Sequence, residues 1–310
     1  WDKVLSDTTI PNDTPGRVLT DNKTLAQVAL PSLELAEGTD LGEALDDLVR
    51  QVSESWSGPS AAPIRLLPNH IDPASLPSPA LEPHAVPLGI RQDTMGHALW
   101  DFSDADQHLL VLGDAKCGKS TTLRTIALGL VARFSPEELA IAVVDPRGHV
   151  AGCIPEDYLA AHARSLLQAS GLAASIASEL EQRSSRSAEE QSRSPRIVVL
   201  VDDHDIVSAG GAEPLNALMP HLPAARDLKL HIVVTRPVAG STRALYSPFL
   251  QAVRDTGGAV LLMSGDRTEG QVLPRVIPER LQPGRGRYIR RGESPHIIQI
   301  ADTKRFPGST

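Results

Sequence analysis

Aromatic residues are scarce in this 310-residue chain: three Trp, three Tyr and four Phe make up 3% of it. Any core must therefore be assembled from Leu, Val, Ile and Ala, within an ordinary hydrophobic content of 41%. Cysteine is nearly missing. Cys117 and Cys153 have no metal-ligand spacing and form no disulfide framework, which fits a reducing, cytoplasmic setting. No apolar run approaches the roughly 20 residues needed to cross a bilayer, and no signal peptide opens the chain, so the expectation is a soluble segment. An excess of positive charge is also lacking: 30 Lys and Arg against 38 Asp and Glu leave a net charge of −8. That balance argues against a domain whose main task is gripping nucleic acid phosphates, and no nucleic acid partner is expected. The first residue is Trp1, so the chain reads as a piece of something longer, large enough for one α/β domain with an appendage.

One stretch organises the rest. His108-Leu-Leu-Val-Leu112 reads as a buried strand, and Gly113-Asp-Ala-Lys-Cys-Gly-Lys-Ser120 matches G-x-x-x-x-G-K-[ST]. The run Thr121 to Arg133 then carries Leu123, Ile126, Ala127 and Leu130 at helical spacing. Strand, glycine-bounded loop and helix are the context this phosphate-binding motif requires. Gly113 and Gly118 let the backbone turn tightly and aim its N–H groups, with those of Asp114, Ala115, Lys116, Cys117 and Thr121, at phosphate oxygens. The helix N-terminus adds roughly half an elementary positive charge. Lys119 reaches the β- and γ-phosphates in this class, and the Ser120 hydroxyl ligates Mg²⁺. The cofactors implied are ATP or ADP with Mg²⁺.

The flanking chain reads as follows. Pro15-Gly-Arg-Val-Leu-Thr20, a polar turn and Leu25 to Pro31 form one strand-turn-strand unit; Pro283-Gly-Arg-Gly-Arg-Tyr-Ile-Arg290 and His296 to Ala301 form another of the same design. Two hairpins of one type suggest tandem repeats, so residues 1–35 are read as the closing hairpin of a preceding domain. Residues 36–87 hold a helix, Leu41 to Trp56, with one buried face, and a proline-dense connector. Residues 88–310 form the main domain. Its strand candidates are Pro87 to Ile90, Ala98 to Phe102, Leu139 to Asp145, Arg196 to Val201, Lys229 to Arg236 and Ala259 to Met263. Helical segments are read at His162 to Arg183, Glu213 to Leu222 and Ser247 to Arg254, and the polar tract Ser184 to Pro195 as an exposed mobile loop. Strands alternating with helices predict an α/β fold of the RecA-like P-loop type, a mostly parallel sheet covered on both faces, with hairpin and proline-rich appendages.

A nucleotide site of this kind needs a buried strand ending in an acid that holds Mg²⁺ through water. Ile197 to Val201 followed by Asp202 supplies one. The next residue, Asp203, is the candidate for positioning the attacking water. Aspartate is a methylene shorter than glutamate, and a shortfall of about 1 Å can cost on the order of a hundredfold in rate. Tight binding with slow or absent turnover is therefore expected. A strand order that places Lys229 to Arg236 between the phosphate-loop strand and the acidic strand makes Thr235 a polar sensor. Arg236 is either a second sensor or a surface charge. Arg254 reads as a surface arginine, with a finger reaching a neighbouring subunit's phosphate the weaker alternative.

The ordered series GDAKCGKSTTLR, AVVDPRG, IVVLVDDHDIV, HIVVTRP, GGAVLLMSGD and PGRGRYIRRGE resembles the ATPase modules of the FtsK/SpoIIIE class. More narrowly it is similar to the tandem-ATPase (EccC) family of type VII (ESX) secretion systems. That resemblance implies a membrane-anchored protein with three such domains in the cytoplasm, this one the last, joined to preceding ATPase domains in the same chain. It further implies a hexameric motor exporting helical-hairpin substrates of the WXG class, the last domain receiving the substrate's C-terminal export signal. Two departures stand out: DNA-pumping relatives carry glutamate where Asp203 stands, and no winged-helix DNA reader follows the motor domain. A DNA translocase module is the alternative reading.

Overall fold

The structure, a computed structural model, describes residues 16–20, 24–29, 40–59, 64–103 and 106–302. The chain divides into two compact units, residues 1–64 and 65–310.

In the first unit, β1 (Arg17–Leu19) and β2 (Leu25–Gln27) pair antiparallel with Arg17 opposite Gln27; the connecting residues 21–23 lie outside the described residues. Helix α1 (Leu41–Ser55) begins at Asp40, whose Oδ1 accepts the Gly42 N–H at 2.7 Å. The buried face expected of this helix is not found. Leu45, Leu48, Val52 and the following Trp56 are all exposed, and among the described side chains of the helix only Ala44 is buried. Periodicity reports that a helix is amphipathic; it does not report what covers the stripe.

The second unit is built on one ten-stranded sheet. Its strands in chain order are β3 (Val86–Arg91), β4 (His97–Trp100), β5 (His108–Leu112), β6 (Leu139–Val144), β7 (Leu159–Ala163), β8 (Arg196–Val201), β9 (Leu230–Arg236), β10 (Gly258–Met263), β11 (Arg285–Ile289) and β12 (His296–Ile300). In space they run β4-β3-β12-β11-β10-β5-β9-β8-β6-β7. From β10 to β7 every pairing is parallel, whereas from β10 back to β4 every pairing is antiparallel. The α/β class and the mostly parallel core are as expected; the length of the antiparallel wing is not. Short strands such as β3 and β4 look alike in sequence whichever direction they pair.

Helices α2 (Lys119–Val131), α3 (Leu166–Ser184), α4 (Ala188–Arg193), α5 (His204–Val207), α6 (Ser241–Ala244) and α7 (Pro248–Asp255) complete the unit. Because strand side chains alternate between faces, β5 sends Leu110 and Leu112 into one core cluster and Leu109 and Val111 into the other. Burial on both faces explains why these strands read as unbroken apolar runs. The first cluster includes Ala169, Leu172 and Leu180 of α3 and Phe249 of α7; the second includes Leu123, Ile126 and Leu130 of α2.

Three local expectations are corrected. His162 and Ala163 end an edge strand, and α3 starts only after Ser165, whose hydroxyl caps it. The Ser184 to Pro195 tract is not an irregular loop. Ser187 and Glu190 form a reciprocal capping box that opens α4, and Lys229 Nζ donates to the carbonyls of Ser192 and Ser194. The helix read at Glu213 to Leu222 is instead a 3-10 segment, Asn216–Ala224, in which Pro220 and Pro223 each remove an N–H donor.

Candidate functional site

The strand order brings the phosphate loop and the acidic strand end together at the carboxyl edge of the sheet. β9 lies between β5 and β8, so Thr235 sits one strand from Gly113 on one side and one strand from Asp202 on the other. The Gly113 N–H donates to the Arg236 carbonyl at 3.0 Å, and the Asp114 N–H to the Ser264 carbonyl at 2.8 Å, tying the loop's entry to β9 and the end of β10. Ala115 and Lys116 form the exposed tip, with Lys116 at φ 61°. Gly118 turns into α2 at φ 116°, a value that L side chains rarely adopt. Cys117 is buried with Sγ 3.8 Å from Met263 Sδ, and burial pushes its thiol up from the ordinary value. Its side chain packs beneath the loop.

The loop's cation is Lys119. Its Nζ donates to the carbonyls of Gly113 at 2.9 Å and Asp114 at 3.2 Å, and lies 4.0 Å from Asp203 Oδ1. Ser120 Oγ donates to Asp202 Oδ2 at 2.7 Å, while Thr235 Oγ1 donates to Asp202 Oδ1 at 2.7 Å and accepts the Asp203 N–H at 2.9 Å. The Ser120 hydroxyl, the Asp202 carboxylate and the Thr235 hydroxyl thus form one continuous chain. Thr121 occupies the next helical position, half-buried, its carbonyl taken by Thr125 Oγ1.

Burial pushes the Asp202 carboxyl above the usual carboxylate range, against the two hydroxyls that hold it down; the charges of Asp203 and Asp145 add to the rise. A divalent cation at this carboxylate would reverse that pressure. The Ser120–Asp202 oxygen pair suits Mg²⁺, which takes one or two protein oxygens and fills its octahedron with water and phosphate. Among the described residues no cluster of three or more His, Cys, Asp or Glu could hold a metal instead.

Asp203 stands in a left-handed backbone conformation, φ 46° and ψ 55°. Its Oδ2 pairs with Arg147 Nε at 2.8 Å. Arg147 belongs to the Asp-Pro-Arg-Gly turn after β6, a motif plain in the sequence whose spacing gives no hint of this contact. The turn is built by Asp145, whose buried carboxylate accepts the N–H groups of Gly148, Val150 and Ala151. Burial alone would raise Asp145, but these donors outweigh it and leave its carboxyl below the ordinary value.

Arg236 is half-buried, and its Nη1 donates to His204 Nδ1 at 2.9 Å; His204 in turn bonds Glu213 through Nε2 at 3.1 Å. Burial lowers the Arg236 pKa from its usual value. These three residues line a cavity of about 600 Å³ shared with Phe249 and Met219. His204 and Glu213 carry no sequence signature. Arg254 pairs instead with the neighbouring Asp255, at 3.5 Å.

A second unforeseen contact comes from the far end of the chain. The Gly284 N–H donates to the Cys117 carbonyl at 2.7 Å, so the Pro283-Gly284 turn props the phosphate loop. Gly284 has φ +77°, and a Cβ there would collide with Gln299 Nε2. Arg285 then reaches the carbonyls of Leu67 and Pro68, pinning the proline-rich segment beside the loop.

Comparison with known proteins identifies the family and the fold. Residues 78–208 match the FtsK/SpoIIIE family. The chain is 34% identical over 301 residues to the ESX secretion system protein EccC of Thermomonospora curvata, and 33% identical over 303 residues to the ESX-4 secretion system protein EccC4 of Mycobacterium tuberculosis. In both cases 94% of this chain aligns with 23% of the relative, so the chain spans about a quarter of these relatives' length. A structure titled as ATPases 2 and 3 of Thermomonospora curvata EccC in complex with a signal sequence peptide superposes with a TM-score of 0.77 at 32% identity, covering 97% of this chain and 55% of that one. The cytoplasmic domain of the same organism's type VII secretion ATPase EccC superposes with a TM-score of 0.76 at 33% identity, over 94% of this chain and 35% of that one. With the glycine-bounded loop, the strand-end acid and the Thr235 hydroxyl assembled on this sheet, the chain belongs to the FtsK/SpoIIIE family as an ATPase domain homologous to those of the EccC proteins of ESX secretion systems.

Proposed function

We propose that this chain is the last ATPase module of an EccC-type motor: it binds Mg·ATP or Mg·ADP tightly, turns ATP over slowly or not at all, and docks the C-terminal export signal of a WXG-class substrate. The observation that carries nucleotide binding is the hydrogen-bonded series Ser120, Asp202, Thr235 and Asp203 beside Lys119. Lys119 would exchange its two loop carbonyls for phosphate oxygens, and Ser120 with Asp202 would hold Mg²⁺. The metal, when bound, neutralises charge on the β- and γ-oxygens.

Slow turnover is supported by Asp203. The side chain is short, and its carboxylate is engaged by Arg147 rather than left to polarise water. Signal docking is supported by the Thermomonospora curvata relative whose structure contains a signal sequence peptide. The relatives described as a cytoplasmic domain and as ATPases 2 and 3 of one protein support a cytoplasmic position and preceding ATPase domains in the same chain. A place in an inner-membrane-associated complex and hexameric assembly are proposed on the family resemblance alone.

The test is nucleotide content and phosphate release of the purified chain, beside its Lys119→Ala variant. Nucleotide retained by the wild type, lost on substitution and released slowly as phosphate, is the expected result. Rapid multiple turnover by the isolated chain overturns the slow-hydrolysis part, and DNA-stimulated turnover supports a translocase instead. Co-purification with candidate substrates with and without their last residues tests docking; capture that ignores those residues removes it.

A further inference from the structure

The carboxylate of Asp203 lies between two cations. One oxygen is 2.8 Å from Arg147 Nε and the other 4.0 Å from Lys119 Nζ. In this motif the lysine is the residue that reaches the β- and γ-phosphates. A carboxylate that bridges Lys119 to a second cation therefore offers Arg147 the same kind of anionic oxygen that a terminal phosphate offers. Arg147 is placed to exchange one for the other. Its side chain is 59% exposed, and among the described residues Asp203 is its sole charged partner. Guanidinium prefers the bidentate, doubly charged face of a phosphate to a single contact with a carboxylate.

We propose that Arg147 reads the terminal phosphate of the bound nucleotide in cis, with Asp203 as the internal anion it leaves. The inference rests on the nucleotide-binding reading above and assigns a specificity role within that site. It places the ATP-against-ADP distinction on the turn after β6, which is separated from the phosphate-loop strand β5 by β9 and β8. The turn suits the purpose because its shape does not depend on the arginine: Asp145 holds it through three backbone N–H groups. Arg147 can therefore swing, or be replaced, on a fixed base.

The experiment is calorimetric titration of ATP and ADP, each with Mg²⁺, into wild type, Arg147→Ala, Arg147→Lys, Asp203→Asn and the double variant Arg147→Ala with Asp203→Asn. Arg147→Ala is expected to weaken ATP by about tenfold and ADP by less than about twofold, the size of one charge-assisted contact net of the one given up. Arg147→Lys keeps the charge without the fork and falls between. Asp203→Asn removes the competitor, so ATP tightens in the wild-type background and much less in the Arg147→Ala background; that coupling separates a phosphate-reading arginine from a general change of charge. Equal weakening of ATP and ADP by Arg147→Ala, or an Asp203→Asn effect indifferent to Arg147, overturns the assignment. If wild type shows no Lys119-dependent ATP binding, the nucleotide reading itself fails, and this inference falls with it by a distinguishable route.

Discussion

Thr235→Val is the most informative single change. Thr235 is fully buried at the centre of the hydrogen-bonded series, and valine fills the same volume, so no cavity confounds the result. The substitution deletes the bond from Oγ1 to Asp202 and leaves the Asp203 N–H without an acceptor. A hydrogen bond to a charged acceptor contributes about 1.5–3 kcal/mol, and an orphaned buried donor costs about 1–3 kcal/mol. Allowing for relaxation and for water reaching the open edge of the site, the expected loss is about 2–4 kcal/mol. Urea denaturation reads this directly, as a lower midpoint at unchanged m. A second readout is specific to the site. Burial already raises Asp202, and the hydroxyls of Ser120 and Thr235 restrain it; without Thr235 it rises further. Its charged form then appears only at higher pH, so the acid limb of Mg²⁺-dependent nucleotide binding moves to higher pH. Thr235→Ser, which keeps the hydroxyl, should lose under about 1 kcal/mol and show no such displacement. A Thr235→Val protein within about 1 kcal/mol of wild type, with an unmoved acid limb, would refute the role assigned to this chain of bonds.

Asp203→Glu lengthens the candidate water-positioning acid by a methylene and is expected to raise phosphate release by tens of fold, within the roughly hundredfold that about 1 Å of misplacement can cost; an unchanged rate shows that side-chain length is not the limit. Gly284→Ala forces a left-handed residue with a Cβ against Gln299, so about 1–3 kcal/mol of stability should be lost, with weaker nucleotide binding from the unpropped loop; a stability loss without a change in affinity would sever Gly284 from the site. His108 and His231 are buried, and burial lowers both to about 3. Unfolded, they take protons near pH 6.5. Their depressed folded values therefore mean that stability is intact above pH 6.5 and falls between about 6.5 and 3, by up to about 1.4 kcal/mol per pH unit for each. Unfolding titrations of wild type against His231→Gln should show a shallower acid slope in the variant; parallel slopes would contradict this account.

Much of the site is legible in the sequence because its chemistry is local. Gly113 to Ser120 must fold as a loop between a strand and a helix to work at all, and the pattern of residue types records that requirement. The acidic strand end is legible for the same reason, as is the slot for Thr235 once the strand order is assumed. The contacts that decide how the site behaves are not local. Arg147 meets Asp203 only because β6 and β8 are neighbours, and Gly284 reaches Cys117 across more than half the chain. Neither position carries a side-chain type that announces its partner.

By itself, then, the sequence determined the fold class, the glycine-bounded loop between strand and helix, the acidic strand end and the apolar strands, since each follows from turn chemistry, periodicity or burial on both faces. Only the tertiary structure decided the reach of the antiparallel wing, the exposure of the α1 stripe, the capture of Arg236 by His204 and of Asp203 by Arg147. Those depend on which strand edges and charges are brought within a few ångströms of each other. Residues distant in sequence acquire that proximity only when the sheet is assembled.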